Sequence, residues 1–304
     1  MTEKNNLSWR HHYLPQFFIK GFFKPSNSFW VYDKQIDKII PQEKFPSSWF
    51  FEEDRNNITV NGHQTDVIET KAFQFLDDAL SKQFRIIQEA PVHETFNVTC
   101  TSYIAIMLAS TVYRIPATED LAKKLLFSDL TRKLPDKIEE SIKSILSFPM
   151  SERDKLKFLT ILGPFLYILS SERTEWQGKI PYEIIEAENP CFILSDNPVL
   201  YENPPKTYHE LISSVIFPLT CKRIYLGLKT KYYTLNNALA KDINFLLALQ
   251  AKRYFASSDK NFLEQVVTGY RILKPIHDNY QDFKTLIFNE INSKKPSLQA
   301  DTDK

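Results

Sequence analysis

The sequence predicts a mostly helical α+β fold, with a central helical layer packed on a sheet built from N- and C-terminal segments. Three observations predict it. Across 65–170, apolar residues recur at helical spacing in about five successive runs. Short β-branched and aromatic runs stand before this block, within 29–60, and after it, within 182–256. Strands on both sides of a helical block favour segregated α and β layers over a repeating βαβ unit.

The N-terminal part, 7–62, opens on a short helix around Phe17-Phe18-Ile19, broken at Gly21 and followed by a turn at Ser26-Asn27-Ser28. Phe29-Trp30-Val31-Tyr32-Asp33 reads as an aromatic strand with Lys38-Ile39-Ile40 as its hairpin partner, and Ile58-Thr59-Val60 as another strand before the Asn61-Gly62 turn. In the helical region, 65–170, Val67, Ile68, Ala72, Phe75, Leu76, Ala79 and Leu80 mark a first helix to about 88. The next, 97–114, ends at Ile115-Pro116, because a residue before proline avoids the helical region. Helices over 117–130, 137–146 and 151–169 follow; Ser151 caps the last, which Gly163-Pro164 kinks or splits. From 180 to 270, strands near 182–185, 191–194, 199–201, 215–219, 223–228 and 253–256 mix with helices over 234–249 and 260–270. The polar tail, 292–304, frays, and the whole chain, 1–304, reads as one domain.

Composition excludes several function classes. Six glycines in 304 residues form no G-x-G-x-x-G and no G-x-x-x-x-G-K-[ST] pattern, so dinucleotide and Walker-type phosphate loops are absent. Lys and Arg number 38 against 37 Asp and Glu, a balance unlike that of a dedicated duplex-binding domain. The three cysteines are odd in number and lack metal-type spacing, which points to a reducing compartment. Residues 1–10 show no secretory leader, and the longest apolar stretches, 103–112 and 158–169, are too short to span a bilayer. The expectation is a cytoplasmic protein without membrane contact.

Four places carry candidate chemistry. His11-His12-Tyr13-Leu14-Pro15-Gln16 sets two histidines beside a proline-fixed turn; imidazole titrates near neutral pH and suits a metal ligand, a general base or a buried structural hydrogen bond. Glu69 falls on the core side of a helix, where a carboxylate needs a partner; it serves either the helix dipole or acid–base chemistry. Glu69-Thr70-Lys71 also matches half of a nuclease E-x-K pattern, although on a helix those two side chains diverge. Arg114 closes a nearly all-apolar helix, capping its carbonyls or gripping a carboxylate or phosphate. Ser195-Asp196-Asn197-Pro198 follows an apolar strand, as active-site groups do and as any turn does.

Together these segments show a resemblance. His12-Tyr13-Leu14-Pro15-Gln16, then Trp30-Val31-Tyr32-Asp33, Glu69, Arg114-Ile115-Pro116 and Phe192-Ile193-Leu194-Ser195-Asp196-Asn197-Pro198 occur in an order similar to that of the DUF4238 family. Phe217-Pro218-Leu219 and Asn236 fit the same pattern, over about residues 10–260. Tyr113 departs from it, since members often carry glutamine before the arginine. The family's function is unknown, so the resemblance implies a fold-level grouping and no activity.

Two readings follow. In the first the chain is a phosphodiester hydrolase, nuclease-like, with His12, Glu69, Arg114 and Asp196 catalytic and His11, Tyr13, Gln16, Ser195 and Asn197 binding substrate. Glu69 and Asp196 would hold Mg or Mn, Arg114 would offset phosphate charge, and a nucleic acid or nucleotide would be the partner. A metal-free variant uses His12 as base. In the second, the same residues form a buried, satisfied polar network in a binding or sensing module, whose aromatic residues line a groove for a peptide or nucleobase or fill the core, with a partner protein as one outlet. Exposure separates them: an open acidic pocket favours the enzyme and complete burial favours the network.

Overall fold

The two ends of the chain meet in one antiparallel sheet, as expected, while the remaining strands among the described residues divide among three further small sheets. The computed structural model describes residues 7–23, 28–41, 43–91, 98–130, 136–170, 183–189, 191–206, 208–227, 235–275 and 280–293. In chain order, β1 (Arg10–His12) and α1 (Gln16–Lys20) lead to β2 (Trp30–Asp33), β3 (Lys38–Ile39), β4 (Phe51–Glu53), β5 (Ile58–Val60) and β6 (His63–Thr65). A π-helical stretch, Ile68–Phe73, runs into α2 (Gln74–Glu89); α3 (Val98–Arg114), α4 (Glu119–Leu130), α5 (Asp136–Ser147) and α6 (Glu152–Ser170) follow. Next come β7 (Glu183–Glu186), β8 (Leu194–Ser195), β9 (Leu200–Tyr201), β10 (Val215–Pro218) and β11 (Arg223–Gly227). The chain closes with α7 (Asn237–Gln250), β12 (Tyr254–Ser257), α8 (Lys260–Leu273) and α9 (Tyr280–Ser293).

The joining sheet has the order β3-β2-β12-β8, with Tyr32 opposite Phe255 and Phe255 opposite Ser195. Strands β7-β11-β10-β9 form a second sheet, and β1-β4 and β5-β6 are two-stranded ribbons. Register in the joining sheet is strongly specified, because Val31, Tyr32, Phe255 and Ala256 are all buried and a one-residue slip would move their side chains to the opposite face.

Helix ends follow their capping residues. Ser151 Oγ accepts from the Asp154 N–H at 3.1 Å, Asn236 accepts from Leu239, and Asp259 accepts from Asn261 and Phe262. Lys34 reaches from the end of β2 to the far end of α7, donating to the carbonyls of Ala248, Leu249 and Ala251. Burial pulls its ammonium down to about 8.

Several elements differ from expectation. Helix α6 runs through Gly163-Pro164 as one element. The two-stranded ribbons formed by β1 with β4 and by β5 with β6 were not anticipated beyond β5, and α9 occupies a stretch read without structure. The turn at Ser26-Asn27-Ser28 lies mostly outside the described residues, as does most of the tail. The aromatic content goes inward: Phe18 stacks on Phe217 with centroids 5.3 Å apart, and Phe18, Phe22, Phe84 and Phe217 are buried together. Each such ring stabilises the fold by about 2–3 kcal/mol relative to exposure.

Candidate functional site

Ribbon β1-β4 sets His11 opposite Glu52 and His12 opposite Phe51. Alternation along the strand sends His11 inward, where it is fully buried. Its Nδ1 accepts from the Asn56 N–H at 2.8 Å and its Nε2 pairs with the Ser8 carbonyl at 2.9 Å. The Asn56 side chain then donates to Glu69 Oε2 at 2.9 Å. Glu69 sits in the π-helical stretch, a rare geometry frequent at functional sites. Burial pushes its carboxyl up, against the pull of Asn56, Arg114 and His11 and with that of Asp77.

Arg114 terminates α3 inside the protein, 3% exposed. Its Nη1 donates to Asp77 Oδ2 at 3.0 Å and its Nη2 lies 2.8 Å from Oδ1, while the guanidinium covers the Phe73 ring at 3.7 Å. Its own carbonyl accepts from Arg55 Nε at 3.1 Å. The carboxylate Arg114 grips is therefore Asp77 of α2, and a phosphate would have to displace it.

Asp196, 4% exposed, turns back onto the chain after α7. Its Oδ1 accepts from the Lys252 N–H at 2.8 Å, and its Oδ2 from Arg253 at 2.7 Å and Tyr254 at 2.8 Å. Burial pushes this carboxyl up, and the three N–H donors oppose it. Ser195 is fully buried; its Oγ donates to the Leu247 carbonyl and accepts from the Asn197 N–H. Asn197 is half-buried and its carbonyl accepts from Gln250.

Two clefts open beside these groups and share Glu52 as a wall. The larger, about 420 Å³, has Arg55, Asn56, Tyr113, Glu119, Lys123 and Lys157 among its lining. Its charges are largely paired: Arg55 with Glu52 at 2.7 Å and Lys123 with Glu119 at 2.8 Å. Burial pulls the Lys157 ammonium down, helped by Arg55 and Arg153 and opposed by Asp154. The smaller cleft, about 240 Å³, is bounded by Tyr13, Phe51, Glu52, Asp196, Arg253 and Tyr254.

The structure thus brings His11, Glu69 and Arg114 into one neighbourhood, and Tyr13 and Asp196 into another. His12 is half-buried with its ring tilted against Phe51 at 5.9 Å, and Gln16 is exposed at the start of α1. Glu69 and Asp196 share no hydrogen-bond partner among the described residues. No group of three or more His, Cys, Asp or Glu suited to an ion occurs among the described residues either. These donors do not fit a divalent centre.

Sequence reasoning missed Glu52, Asn56, Asp77 and Asn244. Asn244 had a signal, a lone amide in the apolar stretch of α7; it is 1% exposed, accepts from the Ile193 N–H and donates to the Cys191 carbonyl, fixing the segment that leads to Asp196. Asn56 had only the turn composition of Asp54-Arg55-Asn56-Asn57.

Among the described residues no helix is long and apolar enough to cross a membrane. No curated protein and no solved structure matches the chain. A family model described as a protein of unknown function (DUF4238) matches residues 10–261, and the chain belongs to that family.

Proposed function

We propose that the protein is a cytoplasmic, non-catalytic binding module, in which the polar residues shared with the family act as a structural network and the paired clefts receive the ligand. One observation carries this reading: His11, Arg114, Ser195 and Asp196 are each less than 5% exposed and already engaged by the protein's own donors and acceptors. Arg114 Nε and Asn197 Oδ1 are buried without a hydrogen-bond partner among the described residues, and the remaining polar atoms of this network are engaged within the protein; such a network rigidifies a fold, whereas catalytic groups must reach a substrate atom.

A second reading, the phosphodiester hydrolase, draws on Glu69. Its raised carboxyl lies on a π-helical stretch and bonds Asn56, which lines the larger cleft. Assays with single-stranded and duplex oligonucleotides and an activated phosphodiester, with Mg or Mn, separate the two. The binding-module reading expects no turnover above background. Turnover in wild type that vanishes in a normally melting Glu69→Gln variant would replace it with the hydrolase.

A further inference from the structure

Helix α2 has two contrasting faces. It packs on α1 and α3, and Leu80, Phe84 and Ile87 are buried along its inner side. The outer side carries large apolar residues in water. Phe75 is 75% exposed, more than any other large hydrophobic among the described residues, and Ile86, about three turns further on, is 53% exposed. Apolar side chains aligned on one open face, unlike singly scattered ones, fit a contact surface.

Charges complete the same stripe. At about 100° per residue, Lys71, Phe75, Asp78, Lys82, Ile86 and Glu89 fall within about a third of the helix circumference, opposite the buried side, and all are exposed. Lys71, Asp78, Lys82 and Glu89 form no ion pair among the described residues. The order Lys-Phe-Asp-Lys-Ile-Glu is complementary to itself when reversed. Two copies of α2 laid antiparallel, about a two-fold axis near the level of Leu80, set Lys71 opposite Glu89, Phe75 opposite Ile86 and Asp78 opposite Lys82, each pairing made twice. Ala79, exposed beside that axis, presents only a methyl group where the helices cross. A parallel pair would set every charge against its own copy, and like charges oppose that arrangement. The stripe therefore selects both a partner and an orientation.

We propose that the outer face of α2 docks a second copy of this chain, forming an antiparallel two-fold dimer held by Phe75 against Ile86 and oriented by the flanking charges. The 16 residues of α2 give a small contact, so the dimer is transient and concentration-dependent. None of the six stripe residues lines either cleft.

Sedimentation velocity of the full chain, from micromolar to millimolar concentration, tests this. Wild type passes from monomer to dimer as concentration rises. Phe75→Ser removes an exposed side chain, so it melts with wild type, yet it weakens the dimer about tenfold or more because two-fold symmetry deletes the contact twice. Asp78→Lys and Lys82→Asp each set like charges across the axis and weaken the dimer as well. The double variant, Asp78→Lys with Lys82→Asp, restores the pairing, and a mixture of the two single variants forms a heterodimer in preference to either homodimer. A wild-type chain that stays monomeric throughout would overturn the proposal and leave the stripe to a different protein. A dimer indifferent to Phe75→Ser, or one that the charge swap fails to restore, would overturn it equally.

Discussion

Arg114 and Asp77 form an ion pair in which the two partners differ sharply in exposure: the arginine side chain is 2% exposed and the aspartate 30%. Through it the C-terminus of α3 is tied to the first turn of α2, and Glu69 is left to Asn56. The pair engages both Nη atoms of Arg114 and leaves its Nε buried without a partner among the described residues.

That asymmetry predicts an order of variants. Asp77→Ala strands a buried guanidinium and destabilises the fold by about 3 kcal/mol. Arg114→Met leaves a carboxylate that water can reach, keeps apolar packing, and costs less. Adding Arg114→Met to Asp77→Ala recovers part of the loss. Urea unfolding of the three variants checks the order, and a neutral Asp77→Ala would contradict it.

Glu69 predicts a pH dependence of defined sign. Its carboxyl is raised in the folded state by burial, so the proton is held more tightly there than in the unfolded chain. The favourable contribution is present at acid pH and is lost as pH rises through the folded value. Glu69→Gln keeps an acceptor for Asn56 and removes the charge, so its stability relative to wild type increases from pH 4 to pH 8. Arg114, His11 and Asp77 are the other charged or titratable groups that act on Glu69 most. Denaturant unfolding of both proteins across that range tests the slope; a constant or falling difference would refute it.

Gly227 predicts a packing cost. A Cβ there would lie 2.0 Å from the Ile212 carbonyl oxygen, which also accepts from Tyr225 Oη at 2.9 Å. The obstacle is backbone and cannot swing aside. Gly227→Ala destabilises by about 2–3 kcal/mol, read as a lower denaturation midpoint with unchanged slope; a midpoint equal to wild type would mean that β11 has room to shift.

Divalent ions provide another check, since a ligand that binds only the folded state raises its melting temperature. Mg, Mn or Zn is expected to leave the melting temperature of wild type unmoved. A stabilisation that disappears in Asp196→Ala would reinstate an ion site at that carboxylate.

The sequence disclosed elements whose residues alternate or repeat strongly, and it hid those assembled by contact alone. Trp30-Val31-Tyr32-Asp33 is legible as β2 because its aromatic and β-branched residues have high strand propensity. Arg10-His11-His12 has no apolar alternation and becomes a strand only because Phe51-Glu52-Glu53 lies beside it. The π-helical stretch carries the same apolar spacing as an ordinary helix start, so its register was invisible. Helix α9 was a missed pattern: Phe283, Ile287, Phe288 and Ile291 do recur at helical spacing. At the site, burial decided the roles. His11 and Asp196 were legible as important residues, but whether they face substrate or backbone depends on Asn56 and the Lys252–Tyr254 N–H groups, which no motif announces.

The melting temperature of Asp196→Ala tests the central claim most directly. If Asp196 is a structural acceptor, the variant leaves three N–H groups without their carboxylate and loses about 3 kcal/mol or more, seen as a fall of about 5 °C or more in a chain of this size. An Asp196→Ala protein that melts with wild type would contradict the network and return Asp196 to the list of candidate catalytic groups.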